Sequence, residues 1–354
     1  MAIRNNKNRL VVLSGTLLIG LSCSRAAAAP TNITACGTFG AGSYIVESNI
    51  LVGTINCLTF NAGPVTLDLN GFTVSGGGVS TNGVVAVNVP NVTVRNGTIT
   101  GFARSAYLNG AGAVVDGVRA LAGGLNGLTV GDNSIVENSL VNGHAGGIIA
   151  GKNATIVGNT LSGNTGNMIV VSDGSSVRNN TVSMSTGLST AIQVTQNCKV
   201  VDNVVSNSTF GVSTGDHNVI SSNTVSGCFD GISAGNNTII SGNNSSDNSD
   251  KGIGAGTGCL IINNTASNNG ANGIAASGSG TQLLNNVANS NGHSGIGLNG
   301  SGGSAIGNVA DNNSNRGLDV DCPGKADNNT FLGNASPNLN PFGAGCLLTN
   351  NLAP

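Results

Sequence analysis

Charged residues are rare in this chain, so the places where they gather carry information. Asp230, Lys251, His293 and Arg316 fall near one point of a repeating unit, with Asp250 beside them and Asp319 and Asp321 just beyond. A carboxylate, an amine, an imidazole and a guanidinium at repeat spacing could run acid–base chemistry on a sugar acid. A base takes the proton while a cation neutralises the sugar carboxylate. Asp230, Lys251, His293 and Arg316 are therefore the catalytic candidates. Asp230 lies beside Lys251 one repeat on, while His293 and Arg316 are one position out of phase. Asp319 and Asp321, two apart, face one side of a strand. Carboxylate oxygens suit calcium, which is the one cofactor these residues offer; the sequence calls for no other. The plainer reading of the whole group is solubilising charge near an end of the fold. His144 and His217 stand apart and read as solvated turn residues.

Those side chains are held by a repeat. A Gly-aliphatic pair recurs at Gly127-Leu128, Gly147-Ile148, Gly211-Val212, Gly231-Ile232, Gly252-Ile253, Gly273-Ile274, Gly295-Ile296 and Gly317-Leu318. Met168-Ile169 and Ala191-Ile192 fill the missing beats. An Asn follows each pair: Asn138, Asn159, Asn180, Asn203, Asn223, Asn243, Asn264, Asn286, Asn308 and Asn329, at spacings of 20 to 23 residues. A second polar column runs through Asn142, Asn164, Asn207, Asn248, Asn269, Asn291, Asn313 and Asn334. A unit this short cannot bury its own apolar face, so it must stack on its neighbours. Asn accepts the left-handed backbone of a tight corner, and its amide reaches the same amide one coil away.

The period alone also admits a leucine-rich repeat or a left-handed β-helix. Coils so rich in Gly, Asn and Ser do not hold helices, and a 20-to-23-residue period breaks a hexapeptide phase. The expected fold is all-β, a right-handed parallel β-helix of about 13 coils. Its expected span is 62–334, with an N-terminal cap over 29–61 and a C-terminal cap over 335–354.

Leu67-Asp68-Leu69-Asn70-Gly71-Phe72-Thr73-Val74, followed by Val94-Arg95-Asn96-Gly97-Thr98-Ile99-Thr100-Gly101-Phe102, closely resembles bacterial right-handed β-helix repeat proteins of the pectate-lyase-like superfamily. The resemblance covers nearly all of the chain after its first residues. It implies the fold; it leaves activity open, since the superfamily holds lyases, hydrolases, epimerases and adhesins. Phe72 stands where His is common. A copper-accessory role, known for one related family, fits poorly, because copper wants clustered His and Met and the three His are dispersed.

Charged residues are 8% of the chain, aromatics 3%, and the net charge is -2, which leaves no basic surface for nucleic acid. A basic start (Arg4, Lys7, Arg9), an apolar run from Leu10 to Leu21 and Ala26-Ala27-Ala28 read as a signal peptide over 1–28, with a lipoprotein signal at Cys23 as the rival. The run is too short for a membrane span. In an exported protein Cys36 with Cys57, and Cys322 with Cys346, are expected as disulfides that staple the two irregular ends. The functional expectation is a secreted or cell-surface β-helix that binds glycan or acts as an adhesin without catalysis. The alternative is a divergent polysaccharide lyase, glycoside hydrolase or epimerase acting on an acidic polysaccharide.

Overall fold

The computed structural model describes residues 29–53, 55–78, 81–183 and 187–354. The expected signal segment, Cys23 included, lies outside them. Every named element among the described residues is a short strand, and every strand pairing is parallel. No helix among them is long and apolar enough to cross a membrane.

One coil shows the plan. Phe210–Thr214 lies in a front sheet, Val219–Ser221 in a second, Thr224–Ser226 in a third, and the next coil re-enters the front sheet at Asp230–Ala234. Stacked coils form a right-handed parallel β-helix. Val92–Thr100 and Val114–Leu121 each run round the corner from the second sheet into the third. Toward the C-terminal end the third sheet thins to single bridges from Asn244 through Thr265, Val287, Val309 and Thr330 to Leu352.

The front sheet has 15 strands, from Gly37–Phe39 to Leu339–Phe342. That exceeds the expected count of coils because both expected caps join the stack. Thr31 pairs with Tyr44 and Gly37 with Leu58; Leu318 pairs with Leu339 and Lys325 with Leu347. Backbone pairing continues at these ends although the Gly and Asn marks fade. The disulfides join successive coils there, with Cα–Cα distances of 4.5 Å for Cys36–Cys57 and 4.9 Å for Cys322–Cys346.

Ile192, Val212, Ile232, Ile253, Ile274, Ile296 and Leu318 stack as one buried ridge behind the front sheet. Full burial of each such side chain stabilises by about 1.5–3 kcal/mol before entropy is charged. The corner between the second and third sheets carries the Asn ladder, which is buried from Asn159 to Asn329 and continues to Asn351. Asn159 Nδ2 donates to Asn180 Oδ1 at 3.0 Å, and the contact repeats down the stack.

Three Asn residues fall outside the expected columns. Asn138 has φ 50 and belongs to the left-handed position just before the ladder, with Gly158, Asn179 and Asp202. Ser139 takes the ladder place, and its backbone amide donates to Asn159 Oδ1. In the second column, the places assigned to Asn142 and Asn207 belong to His144 and Ser208, both buried. His144, expected in solvent, is 1% exposed and its amide donates to Asn164 Oδ1. Cys198, Cys228 and Cys259 are buried free thiols.

Candidate functional site: a trough on the front sheet

Strand alternation sends every second side chain of the front sheet outward. One outward column, read by register, is Thr129, Ile149, Val170, Gln193, Ser213, Ser233, Gly254, Ala275, Gly297, Asp319 and Asn340. The side chains dwindle from Gln193 to nothing at Gly254 and Gly297, and then Asp319 stands up again. Beside the taller columns described next, this one is the floor of a shallow axial trough, low also on its far side, where Gly215, Gly235 and Gly256 follow. Gly254 opens it without strain: a Cβ there would meet nothing nearer than Ile232 O at 3.8 Å.

One wall comes from two neighbouring columns. The first holds Phe210 and Asp230, then Lys251, Asn272, Ser294 and Arg316, successive through bonds such as Gly231 N to Lys251 O and Gly295 N to Arg316 O. The second holds Phe229, Asp250, Ala271, His293 and Asn315, also linked coil to coil. Phe210 and Phe229 project at one end. Phe342 projects at the other and is 74% exposed. These are the exposed Phe side chains among the described residues; Phe210 and Phe342 lie in strands of this sheet and Phe229 directly precedes one.

The candidate residues therefore share one surface, but most are already committed. Lys251 Nζ pairs with Asp250 Oδ2 at 3.4 Å, not with Asp230. Arg316 NH1 pairs with Asp319 Oδ1 at 2.8 Å. His293 Nδ1 sits 2.7 Å from Asn272 Oδ1 and Nε2 sits 3.0 Å from Asn315 Nδ2, so Nδ1 donates, Nε2 accepts, and neither nitrogen is free to act as a base. Asp230 is different. Burial pushes its carboxyl up, Lys251 opposes that, and Asp250 adds to it; its Oδ1 is buried with no hydrogen-bond partner. Asp319 also receives Ser294 Oγ at 2.8 Å and Asn340 Nδ2 at 2.9 Å. Both its oxygens are thus occupied by donors, a poor start for a calcium ligand. Asp319 and Asp321 do face one side, as alternation requires.

Sequence reasoning passed over Phe210, Phe229, Phe342 and the Asn side chains at 272, 299 and 340. It also passed over the floor. The shrinking series from Gln193 to Gly297 becomes visible only when coils are aligned by the outward position, whereas the Gly-aliphatic pairs align the inward one.

These features define a right-handed parallel β-helix with an axial surface trough. Residues 65–257 match the family described as periplasmic copper-binding protein (NosD), and the chain belongs to that family. Residues 190–336 match the right handed beta helix region family. No curated protein matches the chain. Among solved structures, the mannuronan C-5 epimerase AlgE6 A-module of Azotobacter vinelandii is similar over 92% of this chain and 91% of that one, at 14% identity and TM-score 0.46. The DFA-IIIase of Arthrobacter chlorophenolicus is similar over 69% of this chain and 84% of that one, at 12% identity and TM-score 0.45.

The side chains present do not fit a copper centre. Copper takes imidazole, thiolate or thioether ligands gathered at one point. Here His144 is sealed in the interior, His217 contacts Asn237, and His293 lies between two Asn side chains. Burial pushes the thiols of Cys198, Cys228 and Cys259 up, away from the thiolate that binds metal. Cys198 and Cys259 share a column but stand three coils apart, roughly 14 Å at the strand spacing. Among the described residues no three His, Cys, Asp or Glu side chains are grouped to hold a metal ion.

Proposed function

We propose that this protein is an exported β-helix that binds an extended, neutral glycan along the front-sheet trough without cleaving it. The observation that carries this reading is the low, accessible floor from Ser213 to Ala275, with exposed phenyl groups beyond both ends. Sugars present apolar C–H faces that stack on aromatic rings and hydroxyls that bond to amides, and the wall offers both. Neutrality follows from charge. Lys251 and Arg316 are each paired with a carboxylate of the same surface, while Asp230 and Asp321 remain. A polyuronate would meet net negative charge with no free cation to receive it. The engagement of Lys251, Arg316 and His293 likewise weighs against acid–base chemistry. Export is supported by two disulfides, which persist in oxidising compartments, and by the periplasmic description of the family.

The test is a binding panel of soluble β-glucan, chito-oligosaccharides, polygalacturonate and alginate, with reducing ends and unsaturated-product absorbance followed in parallel. The expected result is binding to a neutral glycan, no product, and at least a tenfold loss of affinity in Phe210→Ala/Phe229→Ala with melting unchanged. Product formation would replace this reading with a catalytic one centred on Asp230 and Asp250. Binding of polygalacturonate alone would overturn the neutral class.

A further inference from the structure

We infer that the trough is blind at its C-terminal end and receives the terminus of a glycan chain, not its middle; this rests on the glycan-binding reading above. The floor column carries no side chain at Gly297, and one coil on it carries Asp319. Arg316 belongs to the wall, yet its guanidinium reaches over the floor to Asp319 Oδ1 at 2.8 Å. Ser294 Oγ holds the other carboxylate oxygen at 2.8 Å, and Asn340 Nδ2 braces Oδ1 from the following coil at 2.9 Å. The result is a bar of bonded side chains, Arg316 and Asp319 across the floor column with Asn340 behind them, anchored from below by the buried Ser294.

At this bar lies a recess of about 260 Å³. Drug-sized ligands occupy sites of roughly 300–1,000 Å³, so this one is sized for a terminal sugar. Two amides converge on it. A Cβ on Gly297 would stand 3.3 Å from Asn299 Nδ2 and 3.4 Å from Asn272 Nδ2. Asn272 Oδ1 is occupied by His293 and by the Ser294 amide, which fixes the side chain and leaves Nδ2 turned toward the floor. Among the described residues neither amide nitrogen has a protein acceptor, so both can donate to the oxygens of a bound sugar. Phe342, on the coil beyond the bar, lines the same recess and supplies an apolar face. A polymer passing through would have to climb over the Arg316–Asp319 pair and lose these contacts. A chain end meets all of them at once.

The experiment uses the full chain with two probes, β-1,4-linked glucose and β-1,4-linked N-acetylglucosamine oligomers of graded length, titrated calorimetrically. The expected stoichiometry is one protein per sugar chain whatever its length. A bulky group coupled to one specific end of the oligomer should cut affinity at least tenfold, while the same group on the other end should be tolerated. Arg316→Ser/Asp319→Gly should remove the bar, letting several proteins load on one long chain. The blocked-end measurement needs only the wild-type protein, so it decides even if that variant fails to fold. Wild-type stoichiometry that rises with chain length, or tolerance of blocks at both ends, would overturn chain-end capture while leaving glycan binding intact. Absence of binding to both probes at every length would overturn the two readings together.

Discussion

Asn243 and Asn264 meet twice across adjacent coils: the Asn243 backbone amide donates to Asn264 Oδ1 at 2.9 Å, and its Nδ2 donates to the same oxygen at 3.0 Å. Asn264 Nδ2 in turn serves Ile240 O, Ile262 O and Asn286 Oδ1. One buried side chain thus closes a corner and ties three coils. Asn264→Leu strands donors above and acceptors below, and each unsatisfied buried group costs about 1–3 kcal/mol. The expected loss is about 3 kcal/mol. Asn142 is half-buried, and among the described residues its side chain bonds only to Ser162. Asn142→Leu should therefore lower the melting temperature much less, and equal shifts in the two variants would contradict the ladder assignment.

His144 makes the interior sensitive to acid. Burial lowers its pKa from 6.5 to about 4, against weaker backbone contacts with Ala120 and Leu125 that raise it. The unfolded chain takes up this proton near pH 6.5, the folded chain only near pH 4. Stability is therefore complete above the upper value and is lost as pH falls through the window between them. The loss is on the order of 3 kcal/mol, at 1.36 kcal/mol per unit. His144→Asn would place an amide beside Asn164, as the later coils of that column do. Melting followed from pH 7 to pH 4 should fall less steeply in the variant than in the wild type. Parallel curves would show that His144 is not the acid-sensitive group.

The C-terminal disulfide holds the last coil against the one before it. Cys322 and Cys346 are 24 residues apart, and closing a loop near this length removes about 3 kcal/mol of unfolded-state entropy by the chain model. The coil it closes is poorly sealed: Phe342, Leu347 and Leu352 are exposed. Cys322→Ser/Cys346→Ser should fray locally. Hydrogen exchange should speed at Lys325–Asp327 and Leu347–Thr349, while the Asn223 to Asn286 region keeps its protection. Uniform loss of protection would mean that the coils unfold as one cooperative unit.

The stack was legible because its inward positions obey one rule in every coil: an aliphatic residue must land on another aliphatic residue. The ladder was nearly legible. Asn residues often come in adjacent pairs, as at Asn179-Asn180, Asn263-Asn264 and Asn285-Asn286, where the first takes a positive φ and the second is buried. Spacing alone cannot tell the two apart, which is why Asn138 was set one place out of column. That strand pairing continues through both ends was not legible, because backbone hydrogen bonds need no marker residue. The site was half legible. The charged positions pointed to the right sheet, but Lys251 and Arg316 spend their charge on Asp250 and Asp319. Those pairings depend on side-chain direction, which the period does not encode.

The trough floor offers a test that leaves every catalytic candidate and every core residue untouched. Gly254 has an ordinary negative-φ strand conformation between Ile253 and Ala255, both buried, and a Cβ there meets only ordinary contact distance. Gly254→Leu therefore adds an isobutyl group to the middle of the floor without backbone strain. In the strand, Leu is at least as favourable as Gly, so melting should hold or rise slightly. A glycan lying along the floor would have to lift off Gly254 and Ala275 together, and affinity should fall at least tenfold. Gly235, at the turn that ends the preceding coil's strand, gives the control. A Cβ there would stand 2.5 Å from Gly215 O, so Gly235→Leu should instead lower the melting temperature by clashing with backbone. If Gly254→Leu binds glycan as the wild type does, the sugar does not lie in this trough, and the phenyl groups at its ends must be explained some other way.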